Sequence, residues 1–340
     1  MYLISPDKKQ FRANLHCHST ISDGKLTPQQ LKEAYKAHDY QVLSITDHEI
    51  PSDQTQKSDP DFLLLTGYEA YIRPDSNCKY DSYAPEIHLN LFAKDPHNVK
   101  LIGYQPSYVK YLPLEKHDQL QKVMLDRPRE YSREYINDFI RTAREHGYLV
   151  SYNHPRWSME SEADILAYEG YFSLEICNYA CWVEDHLEHN GQLYDKMLRL
   201  GKRVYCHSGD DNHNAKPLDS KYSDSFGGAT MILADELEYG QIYHAMETGE
   251  MYSTMGPVFK EVSFDGEKIH VECSDVVSVH AYYGGKKYGF VRADEGETLT
   301  SADITIHPNA RYVRVSIVDK QGNIADTRGF FRDELGLPPL

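Results

Sequence analysis

The sequence predicts an α/β protein, a distorted β/α barrel followed by a small antiparallel β-sandwich, and three observations carry that prediction. From residue 11 to about residue 250, short β-rich runs alternate with amphipathic segments, the pattern of strands joined by helices in a parallel sheet. Ionisable residues recur at the ends of those apolar runs; a barrel brings every strand end to one mouth, whereas an open sheet gathers its site at one crevice. After Gly256-Pro257 the text changes to short alternating strands separated by Gly-rich turns.

Taken in order, the first element leads into Asn14-Leu15-His16-Cys17-His18, followed by Ser22-Asp23-Gly24. Residues two apart on a strand share a face, so His16 and His18 can reach one metal ion while Leu15 and Cys17 face the other way. Thr27-Pro28 opens a helix, with Thr as cap and Pro at the first position. Val42 to Ile45 ends in Thr46-Asp47-His48, and Phe62 to Leu65 ends in Gly67-Tyr68-Glu69. Glu86-Ile87-His88 leads into a strand running to Phe92. Between about Ile72 and Arg129 periodicity otherwise breaks, and a segment this long reads as an insertion or lid that carries specificity. Ser132 to Ala143 reads as a helix whose Ile136, Phe139, Ile140 and Ala143 share one face, and Gly147 ends it. Tyr148 to Tyr152 ends in Asn153-His154-Pro155, and Arg203 to Cys206 leads to Gly209-Asp210-Asp211-Asn212-His213. The tail offers strands at 262–264, 268–272, 277–283, 303–306 and 312–317, which read as a small sandwich.

This ordered set resembles the PHP (polymerase and histidinol phosphatase) superfamily of metal-dependent phosphoesterases. Gly201-Lys202-Arg203-Val204, Phe226-Gly227-Gly228 and the stretch from Glu250 to Pro257 are similar to the branch that includes carbaryl hydrolase. The resemblance covers the chain to about Pro257 and implies a distorted seven-stranded barrel over 1–256, with a sandwich over 257–340. Carried over residue by residue, it implies a ligand set of His16, His18, Asp23, His48, Glu69, His88, His154, Asp211 and His213. One ion would take His16, His18, Glu69 and Asp211; a second would share Glu69 and add His88 and His154. Asp23, His48 and His213 would hold a third. Imidazole with carboxylate and no thiolate suits Mn²⁺, Fe²⁺ or Zn²⁺ better than Mg²⁺, so two or three such ions are expected.

Paired ions about 3.5–4 Å apart activate water and clamp phosphoryl oxygens for in-line attack. The expected reaction is hydrolysis of a phosphate ester of a small metabolite, a nucleotide or a short oligonucleotide end. Arg156, two residues after His154, is placed to fork onto a phosphate oxygen; a surface arginine pairing with Glu160 or Glu162 is the equal alternative. Asp47 and Glu175 read as carboxylates that orient metal-bound imidazoles, since such rings usually give their other N–H to an acceptor. Hydrolysis of a carboxylic or carbamic ester by the same centre, and a metal-dependent binding module without catalysis, are the competing readings.

Composition narrows the partners. Lys and Arg total 36 against 52 Asp and Glu, a net charge of −16, which argues against long duplex DNA. No run approaches a membrane span, and the first residues do not have the form of a signal peptide, so a cytoplasmic protein is expected. Cys17, Cys177, Cys206 and Cys273 lie in apolar runs, as buried thiols do. His207 leads directly towards the Asp211 loop; the other histidines off the pattern, including His117 and His186, read as surface or helix-face residues. The tail carries no motif of its own, which leaves open whether it recruits a protein partner or glycan, pairs subunits or covers the barrel mouth.

Overall fold

The computed structural model describes residues 1–74, 84–185 and 188–340; His186 and positions 75–83 of the expected insertion lie outside them. The chain builds a mixed α/β structure around one long sheet. Across it the strands run Tyr205–Gly209, Ser173–Asn178, Tyr148–Tyr152, Ile87–Ala93, Leu63–Ile72, Val42–Ile45, Lys9–Asn14, Ala229–Ala234 and Met251–Thr254. The sheet then continues through Ile324–Thr327, Tyr312–Val318, Ser278–Tyr282 and Gly289–Arg292.

The sheet is mixed where the alternating pattern predicts a parallel one. Lys9–Asn14, Val42–Ile45 and Leu63–Ile72 pair in parallel, as do Tyr148–Tyr152, Ser173–Asn178 and Tyr205–Gly209. Ile87–Ala93 runs antiparallel to both of its neighbours. Parallel neighbours need a crossover of a dozen or more residues, usually helical, and the described residues between Ile72 and Ile87 hold no helix. The sheet curls until its first strand, Tyr205–Gly209, reaches Ala229–Ala234: Thr230 Oγ1 donates to Ser208 O at 2.8 Å and accepts from Ser208 N at 3.1 Å. Side chain rather than ladder joins those two strands.

Local sequence explains the helices. Pro28–Ala37 begins with a reciprocal cap, Thr27 Oγ1 accepting from Gln30 N and Gln30 Oε1 accepting from Thr27 N. Its Leu31 and Tyr35 pack with Leu43, Ile45 and Leu64. Arg133–Glu145, capped by Ser132, buries Ile136, Phe139, Ile140 and Ala143 against Leu91, Val150 and Leu174. Full burial of each large side chain contributes about 1.5–3 kcal/mol.

Two boundaries differ from expectation in ways that matter for the site. Glu69 lies inside the Leu63–Ile72 strand, not past its end, because residues 64–72 are buried throughout and nearby imidazoles make the carboxylate tolerable there. The first long strand ends at Asn14. His16 and His18 follow it on backbone that keeps the two-residue alternation: Leu15 and Cys17 enter apolar clusters on the other side.

The insertion is ordered where described, with a small parallel pair, Lys100–Ile102 and Gln121–Val123, and a 3₁₀ turn at Leu114–Gln119. Arg129 ties it down, forking onto Glu49 with Nη1–Oε1 2.5 Å and Nη2–Oε2 2.7 Å. Towards the C-terminus, Tyr2–Ile4, Phe259–Phe264, Lys268–Val276 and Leu299–Thr305 form a second antiparallel sheet. Ile4, Val262, Ile269, Val271, Val279, Val315 and Ile317 fill one core between it and the long sheet.

A buried ion network fastens these strands to the rest of the molecule. Arg314 bonds Asp326 through Nη1 at 2.5 Å and grips Asp195, on the Gly191–Arg199 helix, through Nε and Nη2 at 2.9 and 2.8 Å. Burial opposes the Asp326 charge, but Arg314 holds its pKa down to about 2. An ordinary unfolded aspartate titrates near 3.9. The stability from Asp326 is therefore complete above about pH 4 and is lost as pH falls through about 2. Arg314→Ala, which strands two carboxylates, is expected to cost about 3–5 kcal/mol in urea unfolding at pH 7; a change below about 1 kcal/mol would show the network to be dispensable.

Candidate metal centre

Five segments deliver side chains to one place around Glu69. His16 and His18 arrive from the extended chain after Asn14, and His48 from the turn after Val42–Ile45. His88 stands second in its strand, on a position paired with Tyr71. His154 and Asp211 follow the Tyr148–Tyr152 and Tyr205–Gly209 strands at positive φ, 22° and 53°. Gly209 allows the approach, since a Cβ there would stand 2.6 Å from His16 Cβ. Gly228 has the same role one loop away, where a Cβ would meet Gly209 O at 2.4 Å.

The geometry is dense. Glu69 Oε1 lies 3.1 Å from His16 Nε2, 3.1 Å from His88 Nδ1 and 3.4 Å from His154 Nε2. Its Oε2 lies 3.0 Å from His48 Nδ1 and 3.5 Å from His18 Nε2. Asp211 Oδ1 stands 2.9 Å from His18 Nε2 and 3.2 Å from His16 Nε2. Asp23 completes the outer side, 3.8 Å from His18 Nδ1, 3.7 Å from His48 Nε2 and 3.5 Å from His213 Nε2. Three overlapping groups of potential ligands result: His16, His18, Glu69, Asp211; His48, Glu69, His88; and His18, Asp23, His48, His213.

These residues fit metal ions on an observation of their own. His16 Nε2, both ring nitrogens of His18, His48 Nδ1, His88 Nδ1 and Glu69 Oε2 are buried and find no hydrogen-bond partner among the described residues. Orphaned buried polar atoms each cost about 1–3 kcal/mol, and here they converge. Burial raises the Glu69 pKa, yet the surrounding His88, His16 and His48 bring it well below the usual carboxylate range. His88 is opposed by burial but pushed up to about 10 by Glu69 and Glu86, whereas burial, with His213 and His48, takes His18 down to about 4. The cluster could bind metal ions, with release of the protons that otherwise balance its charge.

Around the ligand atoms stand carboxylates that orient them. Glu175 is wholly buried; Oε1 meets His16 Nδ1 at 3.0 Å, and Oε2 accepts from His154 N and Asn178 Nδ2, both at 3.0 Å. Asp47 does not bond the His48 ring. It accepts from Ser19 N at 2.8 Å, Ser19 Oγ at 2.7 Å, Ser22 N at 3.1 Å and Ser22 Oγ at 2.7 Å, and so shapes the loop that presents Asp23. Arg156 is exposed, makes no ion pair among the described residues, and lines a cavity of about 850 Å³ shared with His280, Tyr282 and Arg314. Its sequence-suggested partners are occupied elsewhere, Glu160 by Tyr131, Tyr152 and Tyr168 and Glu162 by Lys196. His207 is buried, its Nδ1 3.0 Å from Ser173 Oγ and its Nε2 without a hydrogen-bond partner among the described residues. His117 is buried too, between Tyr104 OH and Leu112 O, because the insertion folds over it.

Several participants have no assigned role in the sequence reading. Glu86 Oε1 meets His88 Nε2 at 2.8 Å, a pairing that the two-residue spacing could have flagged. Asn153 Nδ2 donates to Glu69 Oε1 at 2.9 Å, and Asn178 Nδ2 to Asp211 Oδ2 at 3.1 Å. Tyr111 OH donates to Asp23 Oδ2 at 2.8 Å, and Trp157 packs its edge on His88 and His154 with ring centres 5.1 and 4.9 Å away. Both aromatic residues are about half exposed, Tyr111 at 42% and Trp157 at 44%, and rim the centre. Local sequence carries no signal for Tyr111, which arrives with the insertion.

No family model and no curated protein matches the chain. Solved structures similar to it include a two-domain protein from Bacteroides vulgatus containing a predicted PHP-like metal-dependent phosphoesterase. It is 13% identical, with a TM-score of 0.46 and coverage of 97% of this chain and 98% of that one. A protein from Bifidobacterium adolescentis named as a metal-dependent phosphoesterase shows 15% identity and a TM-score of 0.36 over 62% of this chain and 91% of its own. An amidohydrolase from Chromobacterium violaceum shows 16% identity and a TM-score of 0.40 over 70% and 96%. At these identities and scores none of the three assigns an activity to this chain. Among the described residues no helix is long and apolar enough to cross a membrane.

If Glu175 orients His16, Glu175→Gln is expected to weaken metal binding roughly 10- to 100-fold in chelator competition, with the circular dichroism spectrum unchanged. Equal affinity in the variant would remove Glu175 from that role.

Proposed function

We propose that this protein is a metal-dependent phosphoesterase, hydrolysing a phosphate ester of a small metabolite, a nucleotide or a short oligonucleotide end. The observation that carries the reading is the convergence of orphaned, buried imidazole and carboxylate atoms on Glu69. In this reading His16, His18, Glu69 and Asp211 hold one divalent ion, and Glu69, His88 and His154 a second. Asp23, His48 and His213 hold a third, the donors suiting Mn²⁺, Fe²⁺ or Zn²⁺. When bound, such ions supply Lewis acidity to water and to phosphoryl oxygens.

The chain's own residues do the positioning. Glu175 at His16 Nδ1 and Glu86 at His88 Nε2 leave the opposite ring nitrogen of each histidine facing the centre. Asp47 fixes the turn that carries Asp23. Arg156, beside the His154 turn and without an ion pair among the described residues, is the side chain assigned to a non-bridging phosphate oxygen, where a fork geometry adds specificity. A phosphate monoester carries up to two negative charges, so stabilising charge is the main catalytic task. The curl of the sheet, fastened by Thr230 and Ser208, supports a distorted barrel of the PHP kind, although the strands from Tyr205–Gly209 round to Ala229–Ala234 number eight where the resemblance implies seven. Five described cysteines are buried free thiols, which supports a reducing, cytoplasmic setting.

A second reading, hydrolysis of a carboxylic or carbamic ester, is favoured by the half-exposed Trp157 and Tyr111 on the rim and by the sequence likeness to the carbaryl-hydrolase branch. Phosphate release from a panel of phosphomonoesters and 3′,5′-bisphosphonucleotides with Mn²⁺-reconstituted protein separates the two. The first reading expects turnover in the wild type and none in Glu69→Gln. Aryl carbamates or carboxylic esters hydrolysed with no phosphate released from any monoester would put the second reading first.

A further inference from the structure

Tyr111 fixes one point of the inserted segment on the metal centre. Its hydroxyl donates to Asp23 Oδ2 at 2.8 Å, and its ring lies nearly parallel to that of His48, 6.1 Å between centres. The residue before it, Lys110, is thereby carried to the same rim, exposed. The Lys110 Nζ stands 5.5 Å from the centre of the Tyr71 ring. That ring in turn lies 6.2 Å from His48 and 5.7 Å from His88. Tyr71 is not free to drift: its hydroxyl donates to Tyr108 O at 3.3 Å and its backbone N–H to Glu49 Oε1 at 3.0 Å.

The charge of Lys110 is uncommitted. It makes no ion pair among the described residues, although acidic side chains outnumber basic ones 52 to 36 in this chain. Arg129, a second cation that the insertion brings to this side, is consumed by Glu49, and a third, Arg73, lies over the same Tyr71 ring at 5.8 Å. A lysine is a compact, strongly hydrated charge on a flexible stem, suited to meeting an anion that arrives from water. An ammonium resting on an aromatic face keeps its attraction for a ligand while its position is narrowed.

We propose that Lys110 is a specificity-determining residue of the metal centre, recognising the dianionic phosphoryl group of the substrate from the side of the insertion. This deepens the phosphoesterase reading and rests on it for the identity of the substrate. Lys110 acts on binding of the anion, and the metal ligands do not depend on it.

The test is calorimetric binding of inorganic phosphate to Mn²⁺-loaded wild type, Lys110→Ala and Lys110→Arg, with metal content measured in each, beside phosphomonoester kinetics. The expected result is roughly tenfold weaker phosphate binding in Lys110→Ala, recovery in Lys110→Arg, equal metal content, and a raised KM with kcat retained. Phosphate bound equally by Lys110→Ala and wild type, or not bound by the wild type, would overturn the inference, as would loss of metal from Lys110→Ala. Phosphate bound through Lys110 without turnover of any phosphomonoester would sink the phosphoesterase reading and leave anion recognition by Lys110 standing. Turnover with a KM indifferent to Lys110 would do the reverse.

Discussion

Glu69 is carried inside a strand with none of its surface exposed, and a carboxylate there is costly unless positive charge surrounds it closely. Much of the molecule follows from meeting that demand. Four imidazoles stand within 3.4 Å of its two oxygens, and a fifth, His18, at 3.5 Å. Each comes from a different turn of chain except the pair His16 and His18. The strands holding these residues must curl to bring their ends together, and the small residues Gly209 and Gly228 let the backbone close up behind them. The site therefore constrains the fold as much as the fold positions the site.

The outer ring repeats the logic at lower charge. Glu175 and Glu86 each pair with an imidazole, and Asp47 spends its oxygens on a loop instead. Glu49, next to His48, is neutralised by Arg129 from 80 residues away in sequence. That pair couples the insertion to the chain at the metal centre, just as Arg314 couples the C-terminal strands to the Gly191–Arg199 helix. Neither connection touches a ligand, yet both hold in place the walls around the centre.

Sequence made legible the candidate ligands that the fold gathers around Glu69, because ligand chemistry is local. His16 and His18 share a face by spacing, and Asp211 follows a strand end. The helix at 28–37 was legible from Thr27 and Pro28, and that at 133–145 from its apolar face. Strand direction was not legible: Ile87–Ala93 runs antiparallel to both of its neighbours, and composition does not signal it. The apolar run Phe62 to Leu65 stops short of Glu69, so sequence puts the carboxylate past a strand end; only the imidazoles gathered from distant segments let the strand run through it. Tyr111, Arg129 and Arg314 owe their places to tertiary contacts between residues far apart in sequence. A single chain without its fold cannot announce such contacts.

The central claim is that Glu69 is the shared ligand of a multi-ion centre. Anomalous diffraction at the manganese edge from crystals grown with Mn²⁺ tests it most directly. The account predicts peaks on both sides of the Glu69 carboxylate, one bounded by His16, His18 and Asp211 and another by His88 and His154. Full-occupancy manganese bound elsewhere, with no peak in contact with Glu69, would contradict it.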